Sequence, residues 1–347
     1  MEKNNIREVS LQDISAFLTQ NGEKAFRAKQ IWQWIWQHGV NSFEEMTNLS
    51  KNTRELLQNH YYFDTLTPYR IQTAGDGTTK TAWRLTDGEI IESVLIPGNQ
   101  KFTVCVSSQA GCQLGCKFCA TGTLGFKRNL TAGEIFEQVI RAQKAAGEQG
   151  STLSNIVFMG MGEPLLNYDQ VMRAIERITA SDGLAMSPYR ITVSTAGIPD
   201  KIRCLADEGV RFNLAVSLHS AKETTRTSLM PVNKAYSLKE IAESLKYFVE
   251  KTGTRPTFEY LLLKDVNDSP EDAKALALYC RQFPIKINII EYNTVEGSGF
   301  QHSPDKKRDE FVKFLESCNM VVNIRHSKGK DIDAACGQLA GRENKLS

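Results

Sequence analysis

The chain has 347 residues and a formal net charge of +2 at pH 7, with 41% hydrophobic and 24% charged residues. These values are typical of a globular enzyme and exclude a disordered or strongly basic chain. No apolar run reaches the roughly 18 residues that cross a bilayer, and Met1 is not followed by an apolar signal segment. We therefore expect a cytoplasmic protein without a membrane partner, whose eight cysteines act as ligands, catalysts or core residues.

Residues 1–65 predict a separate helical domain that assists RNA binding. Apolar residues at helical spacing indicate three helices, the last of them beginning after the N-cap candidate Ser50. Trp32 and Trp36 fall on an apolar stripe, so we interpret them as core residues. The alternative is that Trp34, with nearby basic residues, presents a stacking face to RNA.

Residues 66–100 have the alternating pattern of β-strands. Two such strands flank Asp87-Gly88, a dipeptide typical of hairpin turns, so the segment predicts a small β-hairpin linker. Glu92 lies in the second strand. Because a glutamate in a strand usually faces solvent, the local pattern alone places Glu92 on the surface.

Residues 101–330 repeat the pattern strand, loop, helix six times. The predicted strands are Thr103–Ser107, Asn155–Met159, Arg190–Ser194, Arg211–Ser217, Pro256–Leu263 and Lys286–Tyr292. Six such units without a dinucleotide-binding glycine pattern predict an α/β fold, a partial (β/α)6 barrel. One more strand, Val321–Arg325, precedes a C-terminal loop over residues 331–347.

Three cysteines, Cys112, Cys116 and Cys119, have the spacing C-x3-C-x2-C. Three thiolates can hold three irons of a [4Fe–4S] cluster and leave the fourth iron without a protein ligand. A metal with an open position is a reaction site. The spacing resembles the signature of the radical S-adenosylmethionine (SAM) superfamily, which implies that SAM chelates the open iron and is cleaved to a 5′-deoxyadenosyl radical.

A structural zinc site is the alternative for this motif. Cys105 could supply a fourth thiolate, but such sites usually combine two separate C-x2-4-C knuckles and the chain has no second one. A non-catalytic iron–sulfur or zinc module that binds RNA would have a closed metal site and would not cleave SAM.

Polar residues recur where the predicted strands end, which is the catalytic edge of such a barrel. From them we predict a SAM-binding set that consists of Gly162, Glu163, Ser194, Ser217, Leu218, His219 and Asn293. The carboxylate of Glu163 can bind an ammonium group, and the serine hydroxyls can bind a ribose or a carboxylate. His219 suits a carboxylate or ribose, or else caps a turn, and Asn293 suits an adenine edge.

Two further cysteines are candidates for chemistry. Cys336 lies among small residues in the C-terminal loop, where a thiol has little to pack against and is a candidate for reactivity. Cys105 alternates with Val104 and Val106 in the first barrel strand. If the valines face the outer helices, Cys105 points into the barrel.

Five segments together resemble the RlmN family of dual-specificity bacterial RNA methyltransferases. They are Ile91–Pro97, Cys105–Cys112, Phe158–Pro164, Ser217–His219 and Ala335–Leu339. The resemblance covers nearly the whole chain. It implies methylation of adenine C2 in 23S rRNA, at the peptidyl-transferase centre, and of the adenine 3′ of the anticodon in tRNA.

The resemblance also implies a mechanism with two SAM molecules per turnover and an external electron donor. One SAM methylates Cys336, and the radical from the second SAM takes a hydrogen from that methyl group. The resulting carbon radical adds to the adenine, Glu92 accepts the C2 proton, and Cys105 releases the product through a transient disulfide with Cys336. This role replaces the surface interpretation of Glu92.

Three questions remain open from the sequence. An enzyme of the same scaffold methylates C8 of the rRNA adenine and confers antibiotic resistance, and no residue here separates C2 from C8 on physical grounds. A radical SAM activase would leave Cys105 and Cys336 without a role.

Lys127-Arg128 is a candidate phosphate contact or a solvated surface pair. Without an extended heptad pattern, we expect a monomer.

Overall fold

One ten-stranded sheet organises the fold, and the computed structural model describes residues 3–340. Seven of its strands are parallel and three extend it in antiparallel fashion. Within the described residues, no helix has both the length and the apolar character needed to cross a bilayer.

The N-terminal segment is helical, as predicted. Its elements are β1 (Asn4–Asn5), α1 (Leu11–Gln20), α2 (Arg27–Trp36), α3 (Lys51–His60) and β2 (Tyr61–Tyr62), and the two short strands pair in parallel. The hydroxyl of Ser50 accepts a hydrogen bond from the backbone N–H of Thr53 at 3.1 Å, which caps α3. Trp36 is buried and packs edge-on against Phe136 at 4.9 Å, so it is a core residue as predicted. Trp32 is only half-buried, and its indole N–H donates to Asp182 at 3.0 Å.

The next segment contains three antiparallel strands, β3 (Thr67–Thr73), β4 (Thr79–Arg84) and β5 (Ile90–Pro97). The predicted hairpin of β4 and β5 is confirmed, with Ala82 opposite Glu92. The sequence pattern missed β3, because its side chains are mostly exposed and lack the alternation of a half-buried strand. Strand β5 also pairs with the first barrel strand, so the hairpin continues the barrel sheet.

The remaining elements form an open parallel barrel. They are β6 (Lys101–Cys105), β7 (Gln109–Gly111), α4 (Ala120–Thr123), β8 (Phe126–Asn129), α5 (Ala132–Glu148), β9 (Thr152–Phe158), α6 (Tyr168–Thr179), β10 (Ile191–Thr195), α7 (Pro199–Asp207), β11 (Asn213–Ser217), α8 (Glu223–Leu229), α9 (Leu238–Thr252), β12 (Thr257–Leu262), α10 (Pro270–Cys280), β13 (Lys286–Glu291), α11 (Asp305–Ser317) and β14 (Val321–Arg325). The parallel order is β6-β9-β10-β11-β12-β13-β14. The six predicted strands are therefore present, and β14 adds a seventh. In the described chain the end strands β3 and β14 do not pair with each other.

Helix α5 shows why the first barrel unit folds as the sequence predicts. Thr131 and Glu134 exchange side-chain-to-backbone hydrogen bonds of 3.1 and 2.9 Å, which is the expected capping box. Val104 and Val106 are buried in the hydrophobic core together with residues of α5. Cys105 belongs to the same buried cluster, but it also lines a cavity that contains residues of β9, β13 and β14, as a side chain that points into the barrel would.

Candidate active site

A cavity of about 160 Å³ lies at the carboxyl ends of the barrel strands. Nine of the predicted site residues line it, namely Cys112, Cys116, Cys119, Gly162, Glu163, Ser194, Ser217, His219 and Cys336. These residues come from the cysteine loop, from the ends of β9, β10 and β11, and from the C-terminal loop. The parallel topology is what gathers them, since the carboxyl ends of parallel strands share one edge.

The cysteine loop connects two short paired strands, β7 and β8, and is tied down at both ends. Gly111 has a φ of +73°, and a Cβ atom there would lie 1.9 Å from the carbonyl oxygen of Gly125, so only glycine fits. The backbone N–H of Lys117 donates to the carbonyl of Leu229 at 3.0 Å. The N–H of Ala120 donates to the carbonyl of Gly337 at 2.7 Å, which joins this loop to the C-terminal loop.

The three cysteines fit the ligand set of a [4Fe–4S] cluster. Burial raises the pKa of all three thiols, and repulsion from Cys119 and Cys112 adds to this at Cys116, so the thiolates require a cationic partner. The backbone N–H groups of Leu114 and Gly122 oppose the rise in the pKa of Cys112 and Cys119, respectively.

A closed zinc site does not fit. Among the described residues, no three thiol, imidazole or carboxylate groups are arranged to hold a single metal ion. A cluster places its thiolates on separate irons and spaces them more widely than one zinc ion does. Cys105, the suggested fourth ligand, lines a neighbouring cavity and not the one that contains the three cysteines.

Glu163 follows a tight turn after β9. Gly162 has a φ of +98°, and a Cβ atom there would lie 2.5 Å from the Cβ of Gln109. One carboxylate oxygen of Glu163 accepts the N–H of Ala196 at 2.7 Å and the other accepts the N–H of Leu165 at 3.1 Å. Burial raises the pKa of Glu163, whereas these hydrogen bonds and one from Thr195 oppose the shift. The result is a fixed acceptor on the cavity wall, suited to an ammonium group.

His219 bonds to a neighbouring strand and does not cap a local turn. Its φ is +57°, and its Nδ1 accepts the backbone N–H of Leu261 in β12 at 3.0 Å, while its contact with SAM stays a prediction. Because Nδ1 is an acceptor, the proton of the neutral ring is on Nε2. Burial lowers the pKa of His219 to about 3, with a smaller effect from Arg226. Because of this low pKa, the ring is neutral near neutral pH and its Nε2–H can donate a hydrogen bond. The ring also lines the cavity.

Two predicted SAM-binding residues lie outside the lining of this cavity. Leu218 is fully buried, and its backbone N–H donates to the carbonyl of Glu259 at 3.0 Å. Asn293 follows β13, and its amide donates to the hydroxyl of Ser327 at 2.8 Å. Their contact with SAM stays a prediction.

Cys336 and Cys105 line a second cavity of about 200 Å³. Cys336 also lines the first cavity and so connects the two. Cys336 is an exposed residue of the C-terminal loop, and desolvation by the surrounding protein raises the pKa of its thiol. Burial also raises the pKa of Cys105, and the charge of Cys336 adds to the shift. Both sulfurs are therefore predominantly thiols at neutral pH.

An ion pair next to these cysteines was missed by the sequence analysis. Arg325 in β14 lies 3.3 Å from a carboxylate oxygen of Glu259 in β12, and the two positions are 66 residues apart. The positive charge of Arg325 opposes the rise in the pKa of Cys336, and Glu259 reinforces it. No local pattern identifies this pair, because only the pairing of β12, β13 and β14 brings it together.

Glu92 is buried, so the surface interpretation from the local pattern is wrong. Its carboxylate accepts the backbone N–H of Ala340 at 2.8 Å and lies 3.6 Å from the ammonium of Lys80. The C-terminal loop covers this part of β5. The alternation of residues within a strand cannot predict that a distant loop buries one of its side chains. Glu92 lines a third cavity of about 470 Å³ together with Tyr69 and Gln338.

The two residues of the candidate phosphate contact, Lys127 and Arg128, lie in different environments. The guanidinium of Arg128 donates to both carboxylate oxygens of Glu134, at 2.8 and 2.7 Å, and also pairs with Asp87. Arg128 therefore holds the start of α5. Lys127 is exposed.

Known families match both parts of the chain. Residues 4–62 match the ribosomal RNA large subunit methyltransferase N-terminal domain, and residues 106–277 match the radical SAM superfamily. A probable dual-specificity RNA methyltransferase RlmN from Flavobacterium psychrophilum is 47% identical over 344 residues, which are 99% of each chain. This chain belongs to the RlmN family of radical SAM RNA methyltransferases.

Other members of the RlmN family are similar over the same length. A probable RlmN from Bacillus velezensis is 43% identical over 342 residues, which are 99% of this chain and 94% of the relative. A crystal structure of a radical SAM methyltransferase from Sphaerobacter thermophilus has a TM-score of 0.93 and 39% identity, and the match covers 97% of this chain and 99% of that one. The predicted radical SAM fold is confirmed, and membership in the superfamily implies a [4Fe–4S] cluster and SAM.

Proposed function

We propose that this protein methylates C2 of adenine in 23S rRNA and of the adenine 3′ of the anticodon in tRNA. The supporting observation is the position of Cys336, which lines both the cavity of the three cluster cysteines and the cavity of Cys105. A thiol placed between a radical source and a second thiol suits a relay that carries a methyl group. The names of the RlmN relatives support RNA as the substrate class.

The first cavity is the proposed SAM site. When bound, the cluster and SAM supply a 5′-deoxyadenosyl radical. Cys112, Cys116 and Cys119 hold the cluster, and Glu163 accepts the ammonium group of SAM. Ser194, Ser217 and the Nε2–H of His219 are polar groups on the same wall for the carboxylate and ribose. Gly162 lines the same cavity, and its missing Cβ lets the backbone pass close to Gln109.

The cysteine pair performs the transfer in this proposal. Cys336 is methylated by the first SAM and loses a hydrogen from that methyl group when the second SAM is used. The carbon centre then forms a bond to C2 of the adenine. Cys105 gives up its thiol proton and attacks the sulfur of Cys336, so that a disulfide forms while the bond between that sulfur and the product carbon breaks. The product carbon takes up a proton to become the methyl group, and the unpaired electron leaves to an external one-electron carrier. Two SAM molecules are consumed per methyl group installed.

Glu92 is the proposed acceptor of the C2 proton. Its burial and its place on a cavity wall support this role. The ammonium of Lys80 lies 3.6 Å from this carboxylate. Its hydrogen bond from Ala340 occupies one oxygen lone pair and leaves others available.

The proposed partners are 23S rRNA, tRNA and an external electron donor. The N-terminal helices are the proposed RNA clamp, since this domain matches the N-terminal domain of rRNA methyltransferases. A flipped or unpaired adenine must enter the barrel mouth, because C2 is inaccessible inside a stacked helix. These substrates place the protein in the cytoplasm, and we propose that it acts as a monomer.

The first experiment asks whether Cys336 carries a methyl group. Protein is purified anaerobically from cells grown with methyl-labelled methionine, and its peptides are analysed by mass spectrometry. We expect the labelled methyl group on Cys336 in wild-type protein and no label at that position in a Cys336→Ala control. A Cys105→Ala variant, which cannot complete release, should instead carry the label in a link between Cys336 and RNA. An unmodified Cys336 in protein with an intact cluster would reject the relay.

The second experiment locates the methyl group on RNA. Reconstituted enzyme is incubated anaerobically with a 23S rRNA fragment or tRNA, and the digested nucleosides are compared with 2-methyladenosine and 8-methyladenosine. The proposal expects the C2 isomer. The C8 isomer would identify the antibiotic-resistance activity, and a protein that binds RNA without cleaving SAM would be a non-catalytic module.

A further inference from the structure

Arg226 is a fully buried cation that the sequence analysis did not single out. It lies in α8, and its guanidinium donates to four neutral acceptors. These are the carbonyl oxygens of Ala196 at 2.5 Å, Leu218 at 3.2 Å and Ser217 at 3.3 Å, and the side-chain oxygen of Asn233 at 2.5 Å. Among the described residues, no carboxylate lies within 4.0 Å of it to form an ion pair.

A buried charge that no carboxylate touches is costly, and neutral hydrogen-bond partners offset only part of that cost. The carboxylate of Glu223 lies one residue further away, behind Asn233, and compensates the charge only partly. Burial accordingly lowers the pKa of Arg226. Arginine nevertheless keeps its proton in proteins because its intrinsic pKa is so high. An anion supplied by a bound group would therefore lower the free-energy cost of burying the charge of Arg226.

The position of Arg226 indicates which bound group this is. Two of its acceptors, Ala196 and Ser217, line the cavity that contains the three cluster cysteines. The helix that carries Arg226 ends at Leu229, whose carbonyl accepts the N–H of Lys117 inside the cysteine loop at 3.0 Å.

Three thiolates outweigh the positive charge of an oxidised [4Fe–4S] core, so such a site is anionic, and a one-electron reduction makes it more so. We propose that Arg226 is the buried counter-charge of this cluster and raises its reduction potential. The inference rests on the cluster that the proposed function places at Cys112, Cys116 and Cys119. Arg226 is a positioning residue in this scheme, since it acts through the cluster.

The surroundings of Arg226 also provide a variant that tests its charge with little change of shape. Asn233, which accepts from Arg226, donates its own amide to the carboxylate of Glu223 at 2.6 Å. The double variant Glu223→Gln/Asn233→Asp moves this carboxylate into contact with Arg226 at constant net charge. The exchanged amide and carboxylate can keep their mutual hydrogen bond.

The experiment is an anaerobic redox titration of reconstituted protein, followed by the electron paramagnetic resonance signal of the reduced cluster. An external one-electron reductant such as titanium(III) citrate supplies the electron. We expect the Glu223→Gln/Asn233→Asp variant to hold about tenfold less reduced cluster at the same applied potential, a shift of about 59 mV to more negative values. Arg226→Lys, which keeps the charge, should lie nearer to wild type than Arg226→Gln.

A second measurement uses the apoprotein. The double variant gives Arg226 a carboxylate partner, so its apo form should unfold at a higher urea concentration than wild-type apoprotein. Unchanged potential together with unchanged apo stability would overturn the role of Arg226 while leaving the proposed function intact. A wild-type protein that assembles no [4Fe–4S] cluster would instead overturn the cofactor assignment, and with it the role of Arg226.

Discussion

At the scale of the residue, His219 shows how burial selects a protonation state. Its backbone is in the left-handed region, its Nδ1 is used by the N–H of Leu261, and the ring of Phe118 lies edge-on at 4.7 Å. None of these neighbours favours an imidazolium, and the nearby charge of Arg226 opposes one. The ring is thus a neutral hydrogen-bond donor whose orientation is fixed before any ligand binds.

This state makes a prediction about acid stability. The pKa of His219 is about 3 in the folded chain, against 6.5 ordinarily. Between these values only the unfolded chain binds the proton, so stability falls as the pH decreases below about 6.5, by roughly 2 kcal/mol at pH 5. Urea unfolding of wild type and His219→Asn at pH 5 and pH 7.5 measures this contribution. Asparagine tolerates the left-handed backbone, and an identical pH dependence in both proteins would contradict the assignment.

At the scale of the element, helix α5 is held by a network that includes Arg128. Glu134 is the capping-box residue, and it is buried while its two oxygens accept from Arg128. The same arginine reaches Asp87 in the hairpin turn. Arg128 therefore joins the cysteine-loop strand β8, helix α5 and the hairpin, and its charge is already neutralised.

The two adjacent basic residues are expected to behave differently. Arg128→Ala leaves a buried carboxylate with fewer donors and should lower the free energy of unfolding by about 1–3 kcal/mol. It should leave the salt dependence of RNA affinity unchanged. Lys127→Ala is the matched control, because the exposed ammonium of Lys127 should contribute little to stability. If Lys127 contacts an RNA phosphate, Lys127→Ala should reduce the salt slope of RNA affinity by about 1. Denaturant titrations and RNA binding across salt concentrations measure both effects. A reduced salt slope in Arg128→Ala would show that this arginine contacts RNA.

At the scale of the whole molecule, Arg7 joins the N-terminal helices to the barrel. Its guanidinium, fully buried, lies 2.7 Å from Glu137 of α5 and donates to the carbonyls of Val40 and Asp64, each at 3.1 Å. Glu137 also accepts the backbone N–H of Leu66. This pair connects the domain proposed to bind RNA to helix α5 of the barrel.

Removal of one partner should therefore weaken the docking of the domain. Arg7→Met leaves Glu137 buried near fewer cations and should cost about 3–5 kcal/mol, whereas Arg7→Met/Glu137→Gln should recover part of this loss. Urea unfolding followed by tryptophan fluorescence measures the effect, because Trp32, Trp34 and Trp36 report on the N-terminal helices. A double variant that loses the sum of both single effects would show that the pair is not coupled.

Much of this molecule was predictable because its determinants are local. The caps at Ser50 and Thr131 lie within four residues of their partners, and the six β–α units follow from short-range periodicity. The exposed strand β3 escaped prediction because its edge position removes the alternation. The burial of Glu92 escaped because its cover comes from Ala340, 248 positions away.

The sequence by itself determined the spacing of the three cysteines, and with it the type of cluster that they suit, since a short loop brings its own ligands together. It also placed polar residues at the strand ends, where a parallel barrel gathers them. Only the tertiary structure decided that Cys336 lies between two cavities, that Arg325 pairs with Glu259, and that Arg226 is buried with no carboxylate beside it in the described chain. Burial and long-range electrostatics depend on which distant segments pack together, and local patterns contain no record of that.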